Sequence, residues 1–376
     1  MKYKMLKDIC EIINGYAFKS KDFTDTGIPV IKIKNVKPNK IILDRLTYVS
    51  KKIAKKRSDY LIKVNDILLT MTGNRVEGRP DSWVGKSAIF KEDGEYLLNQ
   101  RVAIIRPKSS EIDIEYLAYY LSSWDTQLYF IKRANSSGGQ ANISPATVGE
   151  YEVPIPELDA QKKIAGILSV IDGKIRLNDK INENLADQAQ ALYQQCFVAK
   201  VNLDWPLGHL SDLINIKYGK DHKHLADGIY PVYGSGGIMR YVEQPLYERE
   251  SVLIPRKGSL NNVMYVNQPF WSVDTMFYTE MKQINVAKFL YHFMKSKDLV
   301  SMNAGSAVPS MTTAILNAME LHIPPAEPLK HFETSVAPMY EMMQDNEAQS
   351  RKLVELRDIL LPKLMSGKID VSILDF

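Results

Sequence analysis

Residues 164–192 read IAGILSVIDGKIRLNDKINENLADQAQAL. Ile164, Ile171, Asn178, Leu185 and Leu192 stand seven residues apart, and Leu168, Ile175, Asn182 and Ala189 follow four residues behind them. Two such rows form one face of an α-helix that packs lengthwise on another helix. No proline interrupts residues 160–199, and Gly166 and Gly173 weaken the helix without breaking it. At ~1.5 Å per residue the stretch is a rod of roughly 55–60 Å.

The partner lies in the same chain. Phe332, Met339, Asn346, Leu353 and Leu360 repeat the seven-residue row, again with asparagine at the centre, at an offset of 168. The lead-in repeats at the same offset: Tyr151-Glu152-Val153-Pro154-Ile155-Pro156 against Met319-Glu320-Leu321-His322-Ile323-Pro324. Shared register, central asparagine and proline lead-in indicate a duplicated unit. Antiparallel pairing of the helices would bring Asn178 and Asn346 together, since each is the midpoint of its row. A buried asparagine in such a seam lowers stability but fixes register.

The length of 376 residues allows two or more cored domains. A 45% hydrophobic and 24% charged composition is that of a globular protein, and no apolar run approaches the ~20 residues of a membrane span. Two cysteines make neither a disulfide framework nor a metal set, which points to a reducing, cytoplasmic setting. Net charge +4 and a pI near 8.7 are compatible with nucleic acid without demanding it.

Taken in order, the pattern divides into a first domain (1–153), a central helix (154–200), a second domain (201–321) and a distal helix with a short tail (322–376). In the first domain, β-branched runs at residues 28–33, 66–70, 87–90 and 102–105 predict strands. One helix is expected from Ile114 to about Lys132, then a small, polar, flexible loop over residues 135–142, then a helix capped by Ser144-Pro145. The second domain echoes this order. Leu210-Ser211-Asp212-Leu213 answers Leu6-Lys7-Asp8-Ile9, residues 251–258 answer 67–73, and a helix from Val286 to about Lys297 answers the earlier one. The second long helix is expected to end near Met365, with Gly367 as its C-cap. The fold class is α+β, with two similar α/β domains separated by two long antiparallel helices in a pseudo-two-fold arrangement.

These residues carry a resemblance. "LKDICEIINGYAFKSKDF", "NDILLTMTGN", "GGQANISPATVGEYEVPIPELDAQKKIAGIL", "YPVYGSGGI", "VLIPRKGSLNNVMYV", "FWSVDTMFY" and "LHIPP…LRDILLPKLMSGKI" resemble the specificity subunits of type I restriction–modification systems. The resemblance runs over nearly the whole chain. It implies two target-recognition domains, each reading half of a bipartite double-stranded DNA target, and helices that form a coiled-coil spacer and dock two modification subunits. The partners would carry the chemistry: adenine methyltransferases using S-adenosylmethionine, and a restriction motor-nuclease using ATP and Mg²⁺. The chain itself would hold no cofactor and no metal, and would not touch a membrane. One departure is the second lead-in, Pro325-Ala326-Glu327-Pro328, which lacks the Glu-Gln-Lys character of residues 159–163 and leaves the start of the second helix open.

Arginine suits guanine O6/N7 and asparagine suits adenine N6/N7, each through paired hydrogen bonds. The loop Thr72–Asp81, with Asn74, Arg75 and Arg79, is therefore the base-reading candidate of the first domain. Its counterpart holds Arg256, Lys257, Ser259, Asn261 and Asn262. Tyr16, Lys19 and Lys21, and in the second half Lys217, Tyr218, Lys220 and Tyr233, mix aromatics with lysine and suit phosphate contacts. Gln140 and Asn142 are further candidates. An ordinary solvated loop is the competing reading for each. Residues 78–87 tempt one towards a phosphate-binding loop, but Pro80 stands where the spacing needs glycine and has no N–H to offer. Asp221, His222, His224 and Asp227 could bind a metal, although a His-Lys-His loop is usually solvated. Neither an adenine-methyltransferase run nor a nuclease carboxylate–lysine set is present in the sequence. The alternative functions are a stand-alone nuclease and a coiled-coil scaffold without a nucleic-acid role.

Overall fold

The computed structural model describes residues 2–44, 46–74, 82–137, 140–199, 204–302 and 310–372. The chain divides into two compact units, Met1–Leu177 with Gln349–Phe376, and Asn178–Ala348.

The first unit is built on a four-stranded antiparallel sheet in the order Ser87–Ile89, Ile67–Thr70, Val102–Pro107, Cys10–Asn14. Successive side chains of a strand point to opposite faces, so a strand covered on both sides reads as a continuous apolar run. Ile67-Leu68-Leu69-Thr70 is such a run, and all four residues are buried. Ile67 and Leu69 face a core shared with helical residues Leu117, Phe130, Ile164 and Leu361. Leu68 faces Ile31, Phe90 and Leu98 instead. A second, five-stranded sheet contributes there, with Ile28–Ile31 and Tyr96–Leu98 parallel at its centre. Strand Lys2–Met5 pairs antiparallel with Glu152–Ile155, so the proline-bearing lead-in is itself a strand.

Two expectations fail in this unit. The single helix of residues 114–132 is two helices, Ile114–Ser122 and Trp124–Arg133. Ser123 between them is extended, and its hydroxyl accepts from the Thr126 N–H at 3.3 Å. Serine competes with the backbone inside a helix and is better placed as a cap. The stretch expected as a flexible loop, residues 135–142, holds two strands: Asn135–Ser137 pairs with Gln140–Asn142, which pairs with Thr72–Gly73. The unpaired edge at Thr72–Gly73 supplies a partner that these small polar residues could not announce alone. The Ser144-Pro145 start holds, with Ser144 Oγ accepting from Thr147 N–H at 3.0 Å.

The second unit repeats the first sheet strand for strand: Met264–Val266, Ser251–Pro255, Met276–Met281, Ile214–Tyr218. Its second sheet also has a parallel pair, Asp227–Gly234 with Trp271–Ser272. Helix Ala287–Lys295 covers the first sheet through Phe289, Leu290 and Phe293.

The first long helix spans Leu158–Tyr193 and continues as one wider, π-type turn over Gln194–Val198. The second spans Ala326–Met365, with Gly367 at φ +71° where the αL C-cap conformation is needed. The helices are antiparallel within each unit. In the first, Asp172 meets Arg357 at 3.0 Å. In the second, Tyr193 and Phe197 share a core with Phe332 and Tyr340. The central asparagines meet as the repeat requires. Asn178 Nδ2 donates to Asn346 O at 3.3 Å, Asn182 Nδ2 to Met343 O at 3.1 Å, and Asn346 Nδ2 to Asn182 Oδ1 at 2.8 Å.

Candidate nucleic-acid interface

In each unit the site begins where one backbone crosses another. A Cβ at Gly15 would overlap the Asn99 carbonyl, and a Cβ at Gly219 the Val273 carbonyl, so only glycine fits either position. In the first unit this crossing lets Tyr16 exchange backbone hydrogen bonds with Leu98 O and Gln100 N, both at 2.9 Å. Tyr16 is half-buried beside Phe18 and Tyr60. Arg57 lies 4.1 Å over its ring and donates from Nη2 to its hydroxyl at 2.8 Å. The tyrosine is thus a seat for an arginine, and Arg57 is the cation the sequence pattern missed. Lys19 and Lys21 are exposed on the turn Ser20–Asp22, which is closed by the Lys19 N–H donating to the Asp22 carboxylate at 2.8 Å.

Asn74 closes the base of its loop. Its N–H donates to Ser82 O at 2.9 Å and its Nδ2 to Ser82 Oγ at 3.0 Å. Arg75 and Arg79 lie outside the described residues, as do positions 78–81 of the rejected phosphate loop. Gln140 is exposed on the strand Gln140–Asn142. Asn142 is spent internally: its Oδ1 accepts from Thr72 Oγ at 2.6 Å and from Arg101 Nη1 at 3.3 Å. Arg101, exposed and oriented by this amide, is a second cation not singled out from sequence. Arg57 and Arg101 reach their partners only across non-local pairings, so no local spacing signals them.

In the second unit, Arg256 lies with its guanidinium 5.4 Å from the Tyr218 ring and donates to Asp274 O at 3.3 Å. Among the described residues it pairs with no carboxylate. Gly258, at φ +86°, brings the 256–262 loop against the 234–237 turn, where Asn262 Nδ2 donates to Ser235 O at 2.8 Å. Lys257 and Ser259 are exposed on that loop. Tyr233, half-buried, accepts at its hydroxyl from Gln268 Nε2 at 3.3 Å. The 256–262 loop is therefore joined to two other segments, to Tyr218 through Arg256 and to Ser235 through Asn262. Asn261 turns away: its amide engages Asp298 Oδ1 at 3.3 Å and the Val300 N–H at 3.2 Å. Lys217 pairs with Glu280 at 3.5 Å, while exposed Lys220 uses its carbonyl to accept from Trp271 Nε1 at 2.9 Å.

The considered metal set is dispersed in use. Asp227 pairs with Arg240 at 2.8 Å, Asp221 accepts from the Lys223 N–H at 3.4 Å, and His224 lies edge-on to Trp271. Among the described residues no group of three or more His, Cys, Asp or Glu is placed to hold a metal ion. Nor is any described helix long and apolar enough to cross a membrane.

A family model described as "Type I restriction modification DNA specificity domain" matches residues 1–187 and again 202–330. Similar curated proteins include the type I restriction enzyme MjaIX specificity subunit of Methanocaldococcus jannaschii, 25% identical, with 98% of this chain and 93% of the relative covered. The HindI specificity subunit of Haemophilus influenzae is 23% identical, with 82% and 87% covered. Among solved structures, the S subunit of a type I restriction–modification system from M. genitalium superposes with a TM-score of 0.57 at 18% identity, over 96% of this chain and 95% of that one, a likeness of fold.

Proposed function

The chain belongs to the type I restriction modification DNA specificity family, and on that premise we propose that it reads a bipartite double-stranded DNA sequence for a methyltransferase and restriction complex. The observation that carries this reading is the duplication. Two domains share one strand order and one glycine crossing, yet present different polar side chains beyond it. A scaffold that stays constant while its loops differ suits two separate half-sites. Residues 1–153 and 201–321 act as the two readers, and residues 154–200 and 322–376 fix their separation and dock two modification subunits. Arg256, Tyr218 and Asn262 form the base-reading edge of the second domain, with Lys257 beside them. Asn74, Gln140 and Arg101 flank the reading edge of the first, while Lys19, Lys21, Lys217 and Lys220 hold phosphates.

The chain is non-catalytic and works in the cytoplasm. Adenine methylation with S-adenosylmethionine, and ATP- and Mg²⁺-dependent restriction, belong to its partners. Methylome sequencing of the source cell tests the reading: deleting the chain should erase one bipartite adenine motif with a constant gap. Arg256→Ala should cost ~1–3 kcal/mol of target binding and relax one position of a single half-site. Equal weakening on every sequence would assign Arg256 to phosphate, and a methylome untouched by the deletion would reject the function.

A further inference from the structure

The mild net charge of the chain conceals a segregated one. Residues 19–63 hold thirteen lysines and arginines against four aspartates, a formal +9, whereas the whole chain carries +4. The corresponding stretch of the second domain, residues 220–250, holds four lysines and arginines against five acidic residues, a formal −1. The excess is therefore a property of one domain and not of the shared scaffold.

Its centre is the helix Lys51–Lys56, sequence KKIAKK. Ser50 caps it, accepting from the Ile53 N–H at 3.4 Å. Ile53 and Ala54 anchor it to the small core of Val30, Val49 and Leu97. Lys51, Lys52, Lys55 and Lys56 are all exposed, and none pairs with a carboxylate among the described residues. The preceding strand, Thr47–Val49, pairs Val49 with Phe23, which places the helix beside the turn carrying Lys19 and Lys21. Arg57, at the helix end, is the arginine held on Tyr16. Nearby Lys32 lies 3.8 Å over the Phe23 ring, and burial together with the charge of Lys34 holds its ammonium below the usual range. Like charges in such excess repel one another and destabilise the compact state. A polyanion removes that repulsion and releases its own counterions.

We propose that the helix Lys51–Lys56, with the adjoining Lys19–Lys21 turn, is a phosphate-backbone anchor for duplex DNA that only the first domain carries. The proposal rests on the chain being a DNA reader and adds that its two domains contribute unequally. The anchor supplies affinity without sequence information, and its share of the phosphate grip exceeds that of Lys217 and Lys220 in the second domain.

The test is a KCl titration of binding by the full-length chain to a short mixed-sequence duplex. The variant is Lys51→Gln, Lys52→Gln, Lys55→Gln and Lys56→Gln together. Each lost phosphate contact removes ~0.9 from the slope of log affinity against log salt, so the slope should fall by roughly 2 to 4, with affinity at moderate salt down about tenfold or more. The fourfold Lys→Arg variant, which keeps the charge, should keep the slope. The methylated sequence should be the same in all three proteins. A glutamine variant with the wild-type slope overturns the anchor and leaves the DNA-reading function standing. An arginine variant that also loses the slope overturns it as well, because distortion and not charge is then responsible. An altered methylation motif would make the helix a base reader. A wild-type chain with no salt-dependent DNA binding overturns both the anchor and the function.

Discussion

Each unit has a buried polar node that ties its own domain helix to both long helices, and the two nodes use different chemistry, although in the second unit Lys288 also pairs with Glu333 of the distal long helix at 2.6 Å. In the first unit, Tyr119 on the helix Ile114–Ser122 donates to Asp172 Oδ2 at 2.9 Å, and Arg357 donates to the other carboxylate oxygen at 3.0 Å. In the second, His292 on the helix Ala287–Lys295 sits between Gln190 Oε1 at 2.7 Å and the Tyr340 hydroxyl at 3.0 Å, with its ring stacked on Tyr193. The equivalent job is done by an ion pair with a phenol in one case and by a neutral imidazole in the other. Duplication has therefore preserved positions and directions while exchanging the groups that fill them. The charged helix Lys51–Lys56 departs from that rule, since no helix stands between Ile214–Tyr218 and Ser251–Pro255 among the described residues of the second unit.

The strongest test of that equivalence lies in the glycines at the two crossings. If the scaffolds are the same, Gly15→Ala and Gly219→Ala should do equal harm. Each would drive a methyl group into a backbone carbonyl that cannot retreat without moving a strand. Loss of about 3 kcal/mol or more in the affected domain is expected, at the upper end for overpacking. Urea unfolding of both variants is the measurement. A harmless substitution at one position only would show that the two domains share strand order but not the crossing.

Acid should separate the nodes next. Burial, and secondarily the charge of Lys295, pushes the His292 pKa down to about 4 from its ordinary value. Between the ordinary histidine value of ~6.5 and that lowered value, the unfolded chain binds a proton that the folded chain refuses. Stability therefore falls as pH drops through this window, by up to about 3 kcal/mol, and is fully restored above it. Hydrogen exchange of residues 287–295 should lose protection before residues 114–122, with the difference clearest where carboxylates are still ionised. His292→Gln should remove this pH dependence. Parallel loss in both helices would mean that His292 does not govern it.

The helices, their antiparallel sense, the meeting of the asparagines and most strands were legible in sequence because each is set by spacing along one segment. The nodes were not. Nothing within a helix states that Tyr119 will find Asp172 or that His292 will find Gln190. Likewise, the heptad row identified Ile164 and Leu168 as apolar contacts but not their surroundings. Both sit in the core of the first domain together with Leu361 and Leu364. The paired strands Asn135–Ser137 and Gln140–Asn142 were missed because their strand character comes from the Thr72–Gly73 edge and not from their own residues. Among the site residues, amide side chains were the least readable. Asn142 and Asn261 have the donors and acceptors that a base needs, but both are engaged within the protein. Lys257 is exposed, and Arg256 is half-buried with its guanidinium donating to the Asp274 carbonyl at 3.3 Å.

The smallest expected effect concerns the asparagines at the helix midpoints, and it distinguishes a stabilising contact from a register device. Asn346→Leu alone removes the donor to Asn182 Oδ1 and leaves a half-buried amide without that partner, which costs ~1 kcal/mol. Replacing Asn182 as well removes both ends of the bond and exchanges two polar groups for apolar ones. That double variant should recover the loss and lie within ~1 kcal/mol of the parent, on either side. The contrast is with the Asp172–Arg357 pair on the same two helices, where truncating one partner strands a largely buried charge and should cost ~3 kcal/mol. If the asparagines serve register, the double variant will keep its stability but admit a second pairing of the helices. Site-specific spin labels at exposed positions 183 and 347 would then report two distances in place of one. A double variant that is both as stable as the parent and unique in its spacing would show that the shape of the helix face, and not its central asparagines, sets the register.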